Sequence, residues 1–266
     1  MDLTRKELIH LLASPRNPLE HYVINLSGVN LRGVDLSGLD LRNVVLYRAN
    51  LSGAIIKDAI LDGCYLREAN LQNAIIENTS MRGAMLELAN LSGAELIEVD
   101  LTQGYMWGAD LSKTQIIGSN LTMTFLHVCD LKNAYWERVN ATNATMTHCH
   151  GPKAHFKACI LNGANLEESN FEQAQFKGVI MSQANLTEAN FSKADLSGSI
   201  HYLATSFEPD LSFSTIKETN FQYANLQNVC FKSTYIENAK FTGANLKGAD
   251  FTEAIIVNTD IEDAIV

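Results

Sequence analysis

The sequence predicts an all-β solenoid that turns a corner every five residues, and three observations predict it. A large apolar residue, the centre of each unit, recurs every five residues from Leu26 to Val266, at 49 positions in one register. Of these, 45 are Leu, Ile, Met, Phe, Val or Trp, the exceptions being Ala141, Gly151, His201 and Ser206. Two residues before each centre the side chain is small, as at Ala49, Ala54, Ala59, Cys64 and Ala69; only Ile24, Leu39 and Pro209 fall outside Ala, Cys, Ser, Thr, Val or Gly. One residue before the centre, Asn and Asp are the commonest choices. Neither the 3.6-residue period of a helix nor the two-residue period of a strand accounts for this spacing. A coil that bends every five residues does, because its narrow lumen has room for alternating large and small side chains.

The pattern A-(D/N)-L-x-x, seen in "ANLSG", "ADLSK", "ANLTE" and "ANFSK", resembles the pentapeptide-repeat family over residues 22–266. That resemblance implies a right-handed quadrilateral β-helix in which four pentapeptides make one square coil. Each side is a short strand, each corner a tight turn, the centre and the small residue point inward and the other three residues point out. About 12 coils stacked about 4.8 Å apart make a rod roughly 58 Å long. Each coil buries its face against its neighbours, so stability is expected to be quasi-one-dimensional.

In chain order, residues 1–21 are expected to form a helical cap and lead-in and residues 22–266 the β-helix. Residues 2–13 read as a helix: Thr4 and Glu7 have capping-box spacing and Leu3, Leu8, Leu11 and Leu12 supply an apolar face. "SPRNP" then breaks it. Two segments strain the pattern. Trp136 is oversized for a centre and is followed by Ala141 and Gly151, so 141–155 is expected to be irregular, with a volume trade in the lumen. In "SIHYLATSFEPD" two centres are polar and Pro209 takes a small-residue site, so 199–210 is expected to bulge by one or two repeats. Phe171, Phe191, Phe231 and Phe251 read as one internal aromatic ladder. "TDIEDAIV" remains in phase, so the last coil is expected to be exposed or covered by another subunit, with no C-terminal helix.

Composition sets outer limits. The chain of 266 residues is 46% hydrophobic and 19% charged, which is not a disordered composition. No apolar run is long enough for a membrane span, and the charged N-terminus lacks a signal-peptide core, so a cytoplasmic location is expected. A net charge of −10 argues against direct nucleic-acid binding. Residues 1–133 hold 15 of the 30 acidic residues and 11 of the 20 basic ones, so the charge is spread evenly.

No catalytic constellation is apparent: there is no Gly-rich phosphate loop, no G-x-S-x-G and no H-E-x-x-H. No enzyme activity and no cofactor are expected. Cys64, Cys129, Cys149 and Cys159 occupy small inward sites, and Cys230 faces out. "THCHGPKAHFKAC" brings His148, His150 and His155 close in sequence to Cys149 and Cys159, ligand types that suit zinc. In a square coil these histidines point out and these cysteines in, so no metal site is expected. The outward residues before successive centres on one side are Val45, Tyr65, Met85, Tyr105 and Phe125, where the adjacent side has Asn50, Asn70, Asn90, Asp110 and Asp130. Tyr47, Leu88, Trp107, His127 and Val128 add to that stripe. An apolar patch of this kind marks an interaction surface, about 19 Å long over four coil steps. Glu167, Glu168, Glu188 and Glu208 read as an acidic row farther along the same side.

The function expected is a non-catalytic scaffold that binds an unidentified protein partner through Val45, Tyr47, Tyr65, Met85, Leu88, Tyr105, Trp107, Phe125 and His127. Homo-oligomerisation through the stripe or the terminal coil is the other use of these surfaces. The resemblance adds that pentapeptide-repeat proteins generally lack enzymatic activity. The N-terminal layout is similar to small cytosolic members common in cyanobacteria, some of which regulate cell differentiation. It also adds an alternative, an acidic DNA mimic that binds type II topoisomerase and protects it from its poisons. Those relatives dimerise through a C-terminal helix, and here the most distinctive stripe is aromatic where a mimic is anionic.

Overall fold

The structure, a computed structural model, describes residues 3–13, 23–202, 205–259, 261, 264 and 265, with backbone only for 200–202 and 205–207. Those residues form a right-handed quadrilateral β-helix preceded by one short helix. Coils stack by parallel pairing at a twenty-residue offset, as in Asn30↔Asn50, Asn50↔Asn70 and Asn70↔Asn90. The centres of one coil, Leu46, Leu51, Ile56 and Leu61, are all buried and name the four walls.

Local chemistry explains the pentapeptide. At most corners the N–H of the next small residue donates to the preceding centre's carbonyl, as from Ala49 to Leu46 (3.0 Å) and from Ala54 to Leu51 (3.0 Å). The residue just before that donor has positive φ, 64° at Gly53 and 57° at Asn43, which is why Gly and Asn recur there. The Asn or Asp before a centre turns its side chain onto the backbone two residues on: Asn50 Oδ1 accepts from the Ser52 N–H (3.1 Å) and Asp110 Oδ1 from the Ser112 N–H (2.9 Å).

Helix α1 spans Arg5–Leu12, shorter than the 2–13 read from sequence, and "SPRNP" lies outside the described residues. Thr4 caps it: the Thr4 N–H donates to Glu7 Oε2 (2.8 Å) and the Glu7 N–H to Thr4 Oγ1 (3.3 Å). Leu3 and Leu8 are buried against the first coil. Arg5 completes that coil's edge, donating from Nη1 to the Asp35 carbonyl (2.5 Å) and from Nη2 to the Ser37 carbonyl (2.7 Å). One coil later, the equivalent carbonyls of Ile55 and Lys57 accept from the Leu36 and Gly38 N–H groups. The planar guanidinium fork thus takes the place of two backbone donors.

Strands β1–β7 (Ile55–Lys57, Ile75–Glu77, Glu95–Ile97, Gln115–Ile117, Tyr135–Glu137, His155–Lys157, Gln175–Lys177) stack in order on the Ile56 wall. Pairing continues without interruption through 141–155, where Thr145, His150 and His155 each pair with residues twenty before and twenty after. The irregularity expected there is absent, because the lumen absorbs Trp136. Trp136 is fully buried against Phe156 (5.2 Å between rings), and Phe156 stacks on Phe176 (4.6 Å). A Cβ added at Gly151 would lie 2.6 Å from the Phe171 ring, so Gly151 makes the room that Phe171 needs.

Strands β8 (Ile200–Tyr202) and β9 (Thr205–Phe207) form an antiparallel hairpin in which His201 pairs with Ser206. On its far side the pairing offset is thirty residues: Ile180↔Asp210, Asn185↔Thr215, Asn190↔Asn220 and Asp195↔Asn225. The hairpin therefore withdraws ten residues, half a coil, from the solenoid. His201 and Ser206 are strand residues of that hairpin and not centres of a coil. The five-residue phase survives, but every later residue lands on the wall opposite the one counted from sequence. Strands β10–β12 (Thr215–Lys217, Tyr235–Glu237, Ile255–Val257) accordingly form a second parallel sheet on the Leu46 wall. The expected single phenylalanine ladder is corrected to two. Phe171 and Phe191 continue into Phe221 and Phe241 at ring spacings of 5.6, 5.5 and 5.3 Å, while Phe231 and Phe251 stack as a separate pair at 4.8 Å.

Candidate protein-interaction surface

The Leu46 wall carries the predicted stripe. Val45, Tyr65, Met85, Tyr105 and Phe125 pair rung on rung, because each is the outward residue next to a lumen centre. The Tyr105 and Phe125 rings stack at 5.0 Å and 9°. Tyr65, Leu88, Tyr105, Trp107 and Phe125 are 41–47% exposed, so no described segment covers them. Val45, Tyr47, Met85 and His127 are half-buried beside them.

Two corner residues of the stripe sit in backbone that disfavours them. Leu88 and Val128 have φ of 58° and 61°, where the equivalent corners of the same wall carry Arg48, Glu68, Gly108, His148, Glu168 and Glu188. Left-handed backbone is costly for any side chain and most for a β-branched one. Val128 is nonetheless 47% exposed, so lumen packing does not account for it. Sequence reasoning missed Met123, also at a left-handed corner (φ 56°). It belongs to the preceding wall and reaches the stripe across the edge, lining a groove with Gln103, Tyr105, Phe125, Asn143 and Thr145. Reading the corner column of the adjacent side would have found it.

Farther along the wall the character changes. His127 packs edge-on to His148 (5.0 Å), and His148 Nδ1 lies 3.2 Å from Glu168 Oε2. Glu168 and Glu188 are exposed and Glu167 is half-buried. Glu208 does not extend this row as expected, because it lies beside the hairpin and accepts a hydrogen bond from Ser199. Glu218 takes the next place, its rung pairing with that of Glu188 through Asn185↔Thr215.

The histidines of the 148–159 segment are dispersed: His148 is on the Leu46 wall, His150 on the Leu51 wall and His155 on the Ile56 wall. Among the described residues no group of three His, Cys, Asp or Glu side chains is placed to hold a metal ion. Cys64, Cys129, Cys149 and Cys159 are buried in the lumen, and Cys230 is half-buried. Burial pushes the Cys64 and Cys159 thiols up to about 12, and contact with Cys149 together with burial raises Cys129. Thiols held protonated in this way are poor nucleophiles and poor metal ligands. No helix among the described residues is long and apolar enough to cross a membrane.

The family profile described as pentapeptide repeats matches in eight copies, over residues 24–63, 64–103, 94–133, 153–185, 164–200 and 230–265. No curated protein sequence matches. Among solved structures, the chain is similar to HetL, described as a pentapeptide repeat protein involved in heterocyst differentiation regulation from the cyanobacterium Nostoc sp. strain PCC 7120. The identity is 22%, with 98% of this chain and 96% of HetL covered and a TM-score of 0.48. It is similar at 17% identity to QnrB1, described as a plasmid-mediated fluoroquinolone resistance protein, with 76% and 89% covered and a TM-score of 0.40. It is also similar at 17% identity to the pentapeptide repeat protein Rfr23 from the cyanobacterium Cyanothece 51142, with 57% and 90% covered and a TM-score of 0.27.

Proposed function

This chain belongs to the pentapeptide repeat family, and from that premise we propose that it is a non-catalytic scaffold whose Leu46 wall binds a protein partner. The observation that carries the proposal is the run of exposed aromatic and apolar side chains, Tyr65, Leu88, Tyr105, Trp107 and Phe125, on consecutive rungs of one wall. Aromatic rings on a regular β-ladder give a partner a large contact area with little side-chain freedom to lose. Family membership supports the absence of catalysis, since proteins of this class act by presenting surfaces.

The test uses wild type and Tyr65→Ser/Tyr105→Ser as paired baits in a cross-linking pull-down. Specific proteins retained by the wild type and lost by the variant are expected. Identical sets from both baits, with the variant folded, would remove the stripe from the function.

A second reading is a topoisomerase-binding DNA mimic, supported by the net charge of −10 and by the acidic corner Glu168, Glu188 and Glu218. Protection of gyrase supercoiling against a quinolone, lost on reversing those three charges, would favour it over the scaffold.

A further inference from the structure

The Leu46 wall twice places an aromatic ring and a carboxylate around a cation of this chain. Near its N-terminal end the Arg48 guanidinium lies 4.8 Å from the centre of the Tyr47 ring, and Arg48 Nε donates to Glu68 Oε2 at 2.6 Å. Tyr47 Oη closes the group by donating to Glu68 Oε1 at 3.3 Å. Beyond the hairpin the Lys217 ammonium lies 5.2 Å from the centre of the Tyr235 ring and 3.0 Å from Glu237 Oε2. A cation over a ring face and beside a carboxylate is held by both the ring quadrupole and the charge.

Between these two groups lies a third set of the same parts. Glu87 and Trp107 are successive residues of one outward column, joined by the Leu86 N–H to the Tyr105 carbonyl (2.6 Å) and the Leu88 N–H to the Trp107 carbonyl (2.9 Å). Tyr65, Met85 and Tyr105 occupy the neighbouring column on the same wall. Glu87 Oε2 is shielded from solvent and has no hydrogen-bond partner among the described residues. The nearest cation in its column, Arg67, is turned to Glu68, with Nε 3.6 Å from Oε1. A shielded carboxylate oxygen without a donor is costly to the free protein, and a cation supplied from outside would remove that cost.

We infer that the partner on the Leu46 wall is a protein segment that offers a Lys or Arg side chain to Glu87, against the Trp107 and Tyr105 rings, with apolar side chains beside it. This rests on the scaffold reading and names the chemistry of its partner. The acidic row fixes the direction of the segment: Glu168 and Glu188 stand four and five rungs beyond Glu87, about 19 and 24 Å away. Further basic residues of the partner therefore lie about six or seven extended residues from the one at Glu87.

The experiment selects a phage-displayed random-peptide library on the wild-type protein and measures the enriched peptides against variants. Solution mass by light scattering and thermal melting are recorded alongside for each variant. The expected result is enrichment of peptides with Lys or Arg among apolar residues. Their Kd should rise at least about tenfold on Glu87→Gln and on Trp107→Leu, and binding should be lost on Tyr65→Ser/Tyr105→Ser. Apolar peptides without a cation that bind wild type and Glu87→Gln alike, yet need Tyr65 and Tyr105, would overturn the cation site and leave the scaffold standing. Binding that ignores Tyr65, Tyr105 and Glu87 altogether would overturn both. A wild-type dimer that becomes a folded monomer in Tyr65→Ser/Tyr105→Ser would show the occupant to be a second copy, which also overturns the basic segment.

Discussion

Val128 shows most plainly that single residues of the stripe are placed at a cost to the fold. Its φ of 61° is left-handed, and its β-branched side chain is exposed. Asn, which tolerates that backbone and occupies it at Asn43 and Asn73, relieves strain of about 1 kcal/mol. Val128→Asn is therefore expected to raise the melting temperature while weakening partner capture, a split that thermal melting and the pull-down read separately. A lower melting temperature would show that Val128 contributes packing that its exposure does not reveal. The stripe itself was legible in the sequence, because Tyr65, Met85, Tyr105 and Phe125 stand where the pattern elsewhere uses Asn or Asp. Met123 was legible too, but only by reading the corner column of the adjoining wall. The orphan oxygen of Glu87 was not, because it depends on where Arg67 turns, which spacing does not encode.

At the scale of elements, the cap and the hairpin solve different problems. Helix α1 closes an edge, and its closing contact is Arg5 on the Asp35 and Ser37 carbonyls. Arg5→Ala is expected to cost about 1–3 kcal/mol, since two edge carbonyls lose donors from a charged group. Arg5→Lys should recover only part of that, because an ammonium lacks the two-pronged geometry. Chemical denaturation of the three proteins checks the order wild type, Lys, Ala. If Lys equals Arg, charge alone matters and the guanidinium is not standing in for backbone donors. The capping box was readable from Thr4 and Glu7, but this clamp was not, since nothing in sequence ties residue 5 to residues 35 and 37. The hairpin was visible as a disturbance at His201, Ser206 and Pro209. Its effect on the walls was hidden by arithmetic: ten residues are two pentads, so the phase resumes at Leu211 as if nothing had been removed.

For the whole molecule, cohesion passes from coil to coil, since backbone pairing among the described residues of the solenoid joins each coil to its neighbours. An interior rung such as Ile116 is paired on both sides and fully buried, whereas Ile256, a centre of the same kind, is 39% exposed on the last described strand. Amide hydrogen exchange measured by mass spectrometry is expected to show strongest protection around residues 65–145, falling toward 255–257. Uniform protection would mean that the solenoid opens as one cooperative unit. The square coil, its centres and its small residues were legible outside the hairpin, where His201 and Ser206 had been counted as centres; the assignment of later residues to walls was not.

The half-coil hairpin has a consequence for how such a surface can change. Here the ten extra residues loop out, and the sequence pattern downstream is read on the opposite wall. Had the same ten residues been wound into the rod as two ordinary pentads, everything after them would have turned by half a revolution relative to Tyr65 and Trp107, with every lumen contact conserved in kind. A gain or loss of five residues turns it by a quarter. The fold works like a combination lock: length changes in whole pentads dial one half of the surface against the other, while the bolt, the packed lumen, never moves.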